Sequence, residues 1–384
     1  MRTVDRRLAV LLASPLALLL LASSAANAES LTGWTSTTGY PTALAGTGCA
    51  AVGSDVYCVG GFDTNFNSYD DEYYAPLTSL GVGTWSAGPP YPTAVDSASC
   101  VSSGSWVYCV GGEEDQGQTV LNSVYGMQVP QSGPPTSWAS GPTYPQATAA
   151  ASCVAFGGYI YCVGGFNSNG DEVSNAYYAA VGSQGLGSWS STTAYPKAVD
   201  SEACVVAEGG YIYCVAGEVE SGGNPNTPIN SVYYAQLGAS GIGKWTAGTA
   251  YPASLAAASC VTLSDTSGTI YCTGGFDING LSSSDSYYGT VSAPGAISWT
   301  STAPYPEPVD TGSCVASSSD IYCLGGVNGL SSGEETVSSA YFTGVAGSTS
   351  TSSTTPEFPV SVAIPMMLAA ALGVAAVGLR RLRL

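Results

Sequence analysis

The chain has no histidine, and between residues 29 and 359 it has no arginine either. Without imidazole there is no mixed Cys/His metal site and no base of the usual kind to activate a serine nucleophile. Without guanidinium there is no bidentate clamp for a carboxylate or phosphate, and no phosphate-cradling loop occurs in the sequence. Lysine is nearly as scarce. Lys197 and Lys244 are the only cations in that span and oppose 26 carboxylates, a formal charge of −24. Nucleic acid and anionic membrane surfaces are therefore poor partners. Charged residues of both signs make up only 9% of the chain, with Gly, Ser and Thr in their place, unlike the charge-dense surface of a halophile. An acidic habitat fits better: once its carboxylates protonate, such a domain has almost no positive charge with which to repel itself.

Long apolar runs are missing except at the two ends. Arg2, Arg6 and Arg7 precede a run from Leu8 to Leu21 that closes on Ala26-Asn27-Ala28, the pattern of a secretory signal peptide over residues 1–28. Val360 to Leu379 holds no charge and is long enough to cross roughly 30 Å of hydrocarbon as one transmembrane helix. Arg380, Arg381 and Arg383 follow, so residues 380–384 are expected in the cytoplasm and the bulk of the chain outside, at the cell surface. A Ser/Thr-rich stalk, residues 347–359, would link the anchor to the exported domain.

All 12 cysteines lie in the exported region as six close pairs: Cys49/Cys58, Cys100/Cys109, Cys153/Cys162, Cys204/Cys214, Cys260/Cys272 and Cys314/Cys323. The spacing is too long for C-x-x-C metal or redox sites, and export favours disulfides. Each pair sits on two successive strands around a short turn, so a bridge across one hairpin is the natural pairing; bridges between neighbouring repeats remain open.

The cysteines mark a repeat. VYCVGG at 56–61 returns at 107–112, and as IYCVGG (160–165), IYCVAG (212–217), IYCTGG (270–275) and IYCLGG (321–326). Alternating apolar residues that stop at glycine predict a buried strand and a sharp turn. Trp34, Trp85, Trp138, Trp189, Trp245 and Trp299 recur every 51 to 56 residues, each followed six residues later by Tyr-Pro. After each glycine pair come a polar loop and an aromatic segment, such as Tyr73-Tyr74 or Tyr341-Phe342. A unit of about 50 residues with four short strands is a propeller blade. We label its strands a (first cysteine), b (YCVGG), c (aromatic pair) and d (tryptophan).

The glycine doublet, the tyrosine and the spaced tryptophan resemble the kelch repeat, over residues 31 to 346. That resemblance implies an all-β fold, a six-bladed β-propeller over residues 29–346 with strand a lining a central channel. The chain begins on a lone tryptophan segment and ends on an aromatic one, so the N-terminal strand is expected to close the last blade. Pro356-Glu357-Phe358-Pro359 and the arginines beyond the span resemble the PEF-type C-terminal sorting signals of archaeal surface proteins, which implies either cleavage by a sorting enzyme or a retained anchor.

A second period runs inside the six. Odd repeats carry GGFD, GGFN and GGFD after strand b; even repeats carry PTAVDS, PKAVDS and PEPVDT before the first cysteine, then GGEE, AGEV and GGVN. The resemblance places the d-to-a and b-to-c loops on one face, around the channel mouth. Candidate binding residues there are Asp96, Asp200 and Asp310 with Glu113 and Glu218 on even blades. On odd blades they are Phe62, Asp63, Phe166, Asn167, Phe276 and Asp277, aromatic platforms beside hydrogen-bonding oxygens. Asp96, Asp200 and Asp310 each have two readings, a cap on its own tight loop or a rim ligand. No calcium-loop pattern occurs, so calcium is a candidate only through separate rim acids. The six Tyr-Pro tyrosines suit wedges between blades or sugar platforms, and Trp106, which breaks the repeat, an exposed site on the far face.

Some kelch propellers are copper oxidases, but those need histidine ligands. What the composition leaves to an enzyme is carboxylate chemistry, a glycosidase or lyase. The expected function is a surface binding or adhesion module, its ectodomain monomeric, for a glycan, a surface-layer protein or a divalent cation. The alternatives are that carbohydrate-active enzyme and a purely structural coat protein.

Overall fold

The computed structural model describes residues 30–346, apart from 115–116, 222–223, 265–266, 318 and 331–332. The expected signal peptide, stalk, span and tail lie outside the described residues, as do Asp115 and Asp265. Among the described residues every helix or strand element is a strand, and six four- or five-stranded antiparallel sheets form six blades. In the first blade, strand a is Gly48–Val52, strand b Asp55–Val59 and strand c Glu72–Thr78, with the outer strand split into Gly81–Val82 and Ser86–Ala87.

The ring closes as the phase of the repeat requires. Strands Ser313–Ser317, Asp320–Leu324 and Ala340–Gly344 form three-quarters of blade 6, and Thr35–Ser36 from the N-terminus adds the fourth, pairing Thr35 with Phe342 and Ser36 with Tyr341. Trp34 then packs edge-on against Tyr305 with centroids 4.9 Å apart, as Trp85 does against Tyr40 and Trp138 against Tyr91, both at 5.0 Å. All six Tyr-Pro tyrosines are buried, so they are wedges and not sugar platforms. Trp106 is half-buried and stacked on Tyr108 at 5.6 Å, a correction to its expected exposure; both residues lie on strand b, where alternation puts them on one face.

The core is divided into six wedges, one per blade interface. Strand b explains why. Its alternation sends Val56 and Cys58 toward Tyr322 and Leu324 of blade 6, and Tyr57 and Val59 toward Tyr91, Val107 and Met127 of blade 2. Each fully buried apolar side chain of this size contributes about 1.5–3 kcal/mol, so both faces of every blade are needed. The glycine after strand b is fixed by two constraints. Gly60 has φ 60°, and a Cβ there would stand 2.0 Å from the Val95 carbonyl of the next blade.

Within each blade the two cysteines face each other in register across strands a and b. Cys49 is bonded to Cys58, Cys100 to Cys109, Cys153 to Cys162, Cys204 to Cys214, Cys260 to Cys272 and Cys314 to Cys323. Every bridge therefore spans one hairpin, and bridges between neighbouring repeats do not form. The two ends of each bridge have different surroundings. Cys49, Cys100, Cys153, Cys204, Cys260 and Cys314, on strand a, line the channel. Cys58, Cys109, Cys162, Cys214, Cys272 and Cys323, on strand b, are buried between blades and offer no surface to a ligand. Each bridge thus staples strand a to strand b within its own blade. Six such bridges indicate an oxidising, extracellular environment.

Candidate functional site

The mouth of the channel is built on a closed ring of backbone hydrogen bonds. Ser97 N–H donates to Gly46 O (2.9 Å), Ala150 to Ser97 (3.0 Å), Ser201 to Ala150 (3.1 Å), Ala257 to Ser201 (3.0 Å), Thr311 to Ala257 (3.1 Å) and Gly46 to Thr311 (3.1 Å). All six residues sit at positive φ, between 51° and 62°. The residue just before each ring member pairs with the b-to-c side of its own blade, as in Asp96 with Glu113, Asp200 with Glu218 and Asp310 with Val327. The d-to-a and b-to-c loops therefore share one face, and the candidate acids with them. The channel below the ring opens as a cavity of about 410 Å³ that includes Phe62, Phe166 and Phe276.

The three even-blade aspartates are buried, at 4%, 5% and 7% exposure. Asp96 accepts from Ser68 Oγ (2.7 Å) of blade 1 and from Ser97 Oγ (2.9 Å). Asp310 accepts from Ser282 Oγ of blade 5 (2.5 Å) and from Thr311 Oγ1 (2.7 Å). These two tie neighbouring blades together through hydroxyl donors. At the corresponding place on blade 3, Glu172 replaces the serine, and Asp200 Oδ1 is left buried without a hydrogen-bond partner.

Asp96 and Glu113 share a side-chain hydrogen bond, as do Asp200 and Glu218. Two carboxyls can hydrogen-bond only if one keeps its proton. Burial, then the charge of Asp96, pushes Glu113 up to about 7. Burial raises both Asp200 and Glu218, and Glu172 adds to it. Beside them Glu202 is fully buried without a partner for either oxygen, and desolvation holds it far above the ordinary carboxylate range. Among the described residues no three carboxylates are grouped so as to hold a metal ion.

The odd-blade residues do something else. Asp63 Oδ1 accepts from the Asn65 and Asn67 N–H groups (2.9 and 3.0 Å), Asn167 Oδ1 from those of Asn169 and Asp171 (2.8 and 3.2 Å), and Asp277 Oδ1 from those of Asn279 and Leu281 (2.8 and 3.1 Å). Each caps its own loop. At Asp63 desolvation is the largest single effect, but hydrogen bonds from Asn67, Asn65 and Tyr69 together outweigh it and bring the carboxyl down to about 2.

One part of the face brings candidates from both sets together. Between blades 5, 6 and 1 lies a cavity of about 380 Å³, walled by Phe62, Phe66 and Phe276 and by Asp63, Asp310, Glu334 and Glu335. Its walls are tied. Thr64 Oγ1 and Thr336 Oγ1 are 2.9 Å apart, joining blade 1 to the blade 6 hairpin, and Gly329 N–H donates to Ser282 Oγ (2.7 Å), joining that hairpin to blade 5. Phe66 and Val327 were not singled out from the sequence. For Phe66 a signal existed. Aligned loops read Phe62-Asp63-Thr64-Asn65-Phe66, Phe166-Asn167-Ser168-Asn169-Gly170 and Phe276-Asp277-Ile278-Asn279-Gly280, so Phe66 stands where its siblings have glycine. It keeps their left-handed backbone, φ 61° against 79° and 69°, at a cost of about 1–2 kcal/mol for a residue with a Cβ. Its ring stacks on Phe62 at 5.6 Å yet is 55% exposed.

These features define a six-bladed β-propeller. Residues 147–178 match the Kelch motif. No curated protein sequence matches the chain significantly. Among solved structures 492 chains match, so the fold alone selects no activity. One of them is the structure of YjhT, at 15% identity and a TM-score of 0.61, over 78% of this chain and 95% of that one. At that identity the likeness speaks to fold alone.

Proposed function

We propose that this protein is a propeller displayed at a cell surface, held there by its C-terminal segment, and that it works as a binding or adhesion module through its acidic face. The observation that carries this reading is the convergence on one face of the acidic loops, a cavity of about 380 Å³ and no lysine or arginine in its walls. Ligand pockets are typically about 300–1,000 Å³, so the cavity has the right scale. A glycan, a neighbouring surface protein and a divalent cation are the ligand classes to test, and the charge favours a positive partner. The alternative, a carbohydrate-active enzyme, has less support: Asp200 and Glu218 are spent on each other and both are buried.

Calorimetric titration of the purified propeller with calcium, magnesium, soluble glycans and basic proteins near pH 7 tests this reading. Saturable binding that weakens with salt is expected. Absence of binding by every class at low salt would remove it. Turnover on a polysaccharide panel, lost in a folded Asp200→Asn variant, would establish the enzyme instead. Anchoring is tested separately: deleting residues 360–384 should release the protein from cells.

A further inference from the structure

We propose that the cavity between blades 5, 6 and 1 receives the ammonium or guanidinium side chain of a basic peptide segment on a partner protein. This deepens the binding-face reading and rests on it. The lining supplies aromatic faces from Phe62, Phe66 and Phe276, and carboxylates from Asp63, Asp310, Glu334 and Glu335. Neither Lys197 nor Lys244, the two lysines of the exported region, is among its lining residues. Aromatic faces beside carboxylates attract a cation that carries its own hydrogen-bond donors, and an alkyl stem suits the apolar wall. Bridges from the blade 6 hairpin to blades 1 and 5 hold this geometry in advance, which lowers the cost of binding.

Two departures from the pseudo-threefold repeat converge here. Val327 stands where the other even blades have Glu113 and Glu218, so across its β-bridge Asp310 faces an apolar residue of the cavity wall in place of a carboxyl. Phe66 stands where the other odd loops have glycine, a bulky residue kept at positive φ with its ring beside the cavity. Packing does not account for that strain, since the residue as a whole is more than half exposed. Strain of this kind is a pointer to function.

The test uses a fluorescent dodecapeptide alternating lysine and serine, its arginine counterpart and a glutamine control, titrated into the propeller at low salt and about pH 6. Both basic peptides should bind and the glutamine peptide should not. Phe66→Gly leaves the charge unchanged and relieves the backbone, so it should melt no lower than the parent yet bind about tenfold more weakly. Val327→Glu installs the carboxyl pair of the other blades; it should weaken binding although it adds an acid, whereas exposed Glu220→Gln, away from the cavity, should change little. Equal binding by the parent and Phe66→Gly, or tighter binding by Val327→Glu, would overturn the pocket and leave only diffuse attraction. Free ethylammonium binding as tightly as the peptide, or neutral sugars displacing it, would overturn the peptide assignment. Failure of basic peptides while a glycan or divalent cation binds defeats this proposal alone; failure of every ligand defeats the binding-face reading as well.

Discussion

Blade 4 meets the mouth with Glu172 of its neighbour and its own Asp200, Glu202 and Glu218, where blade 6 has Ser282, Asp310, Gly312 and Val327 at the corresponding positions. The backbone is the same in both, down to the left-handed residue, φ 53° at Ser201 and at Thr311. At blade 4 four carboxyls crowd together, and Asp200, Glu202 and Glu218 are buried. At blade 6 hydroxyls satisfy a single aspartate and the space opens into a cavity. One scaffold thus yields a closed, proton-holding junction and an open one. Side chains alone set the difference.

The largest expected effect concerns protons. Glu72, desolvated without a partner, is pushed up to about 8, Glu113 to about 7, and Asp200, Glu202 and Glu218 are also raised. A carboxyl whose folded value exceeds its unfolded one near 4.5 contributes stability that is fully present below 4.5 and is lost as pH climbs through the folded value. Melting temperature should therefore be highest near pH 4 and fall steadily toward pH 8. Glu202→Ala should recover about 2–3 kcal/mol at pH 8 and little at pH 4, because it removes an unpartnered buried acid only where that acid is costly. A melting temperature that collapses below pH 4 would remove the acidic-habitat reading.

Next come the disulfides, which probe whether the comparison is confined to side chains. The blade 4 bridge, Cys204–Cys214, and the blade 6 bridge, Cys314–Cys323, close loops of similar length, with sequence separations of 10 and 9. Replacing either pair by alanine should cost about 2.5–3 kcal/mol in denaturant unfolding. A large inequality would mean that the two blades differ in more than their loops.

A smaller effect follows from exchanging the junctions. Glu218→Val should leave Asp200 without its carboxyl partner, shrink the pH dependence between roughly pH 6 and 8, and change stability near pH 5 by no more than about 1 kcal/mol. Smallest of all is Ala216→Gly. Blade 4 alone has alanine at this place, φ 60°, where the other five blades have glycine, and the change should raise stability by about 0.5–1 kcal/mol in chemical denaturation.

Blade number and ring closure were legible in the sequence because each is written in a repeat, and the phase from Trp34 to Phe342 fixes the closure; the disulfide partners were legible only as the natural hairpin pairing, and the register of strands a and b closes the alternative between repeats. The own-loop caps at Asp63, Asn167 and Asp277 were not read there: the sequence offers these residues as hydrogen-bonding oxygens beside aromatic platforms, and the cap reading falls on Asp96, Asp200 and Asp310. The hydroxyl–aspartate ties between blades and the cavity were not legible, since Asp96 meets Ser68, and Asp310 meets Ser282, across a blade boundary that no local pattern encodes. The left-handed Phe66 was hidden for a different reason: its backbone is dictated by a loop geometry that only its glycine-bearing siblings declare.

The ring of six peptide bonds at the mouth has no first or last member, and that bears on how the molecule breathes. A ladder frays from its ends, but a closed loop of donors and acceptors offers no end from which to fray. Hydrogen exchange at Gly46, Ser97, Ala150, Ser201, Ala257 and Thr311 should accordingly be slow and nearly uniform, governed by rupture of the whole hoop and not by the looseness of any one blade.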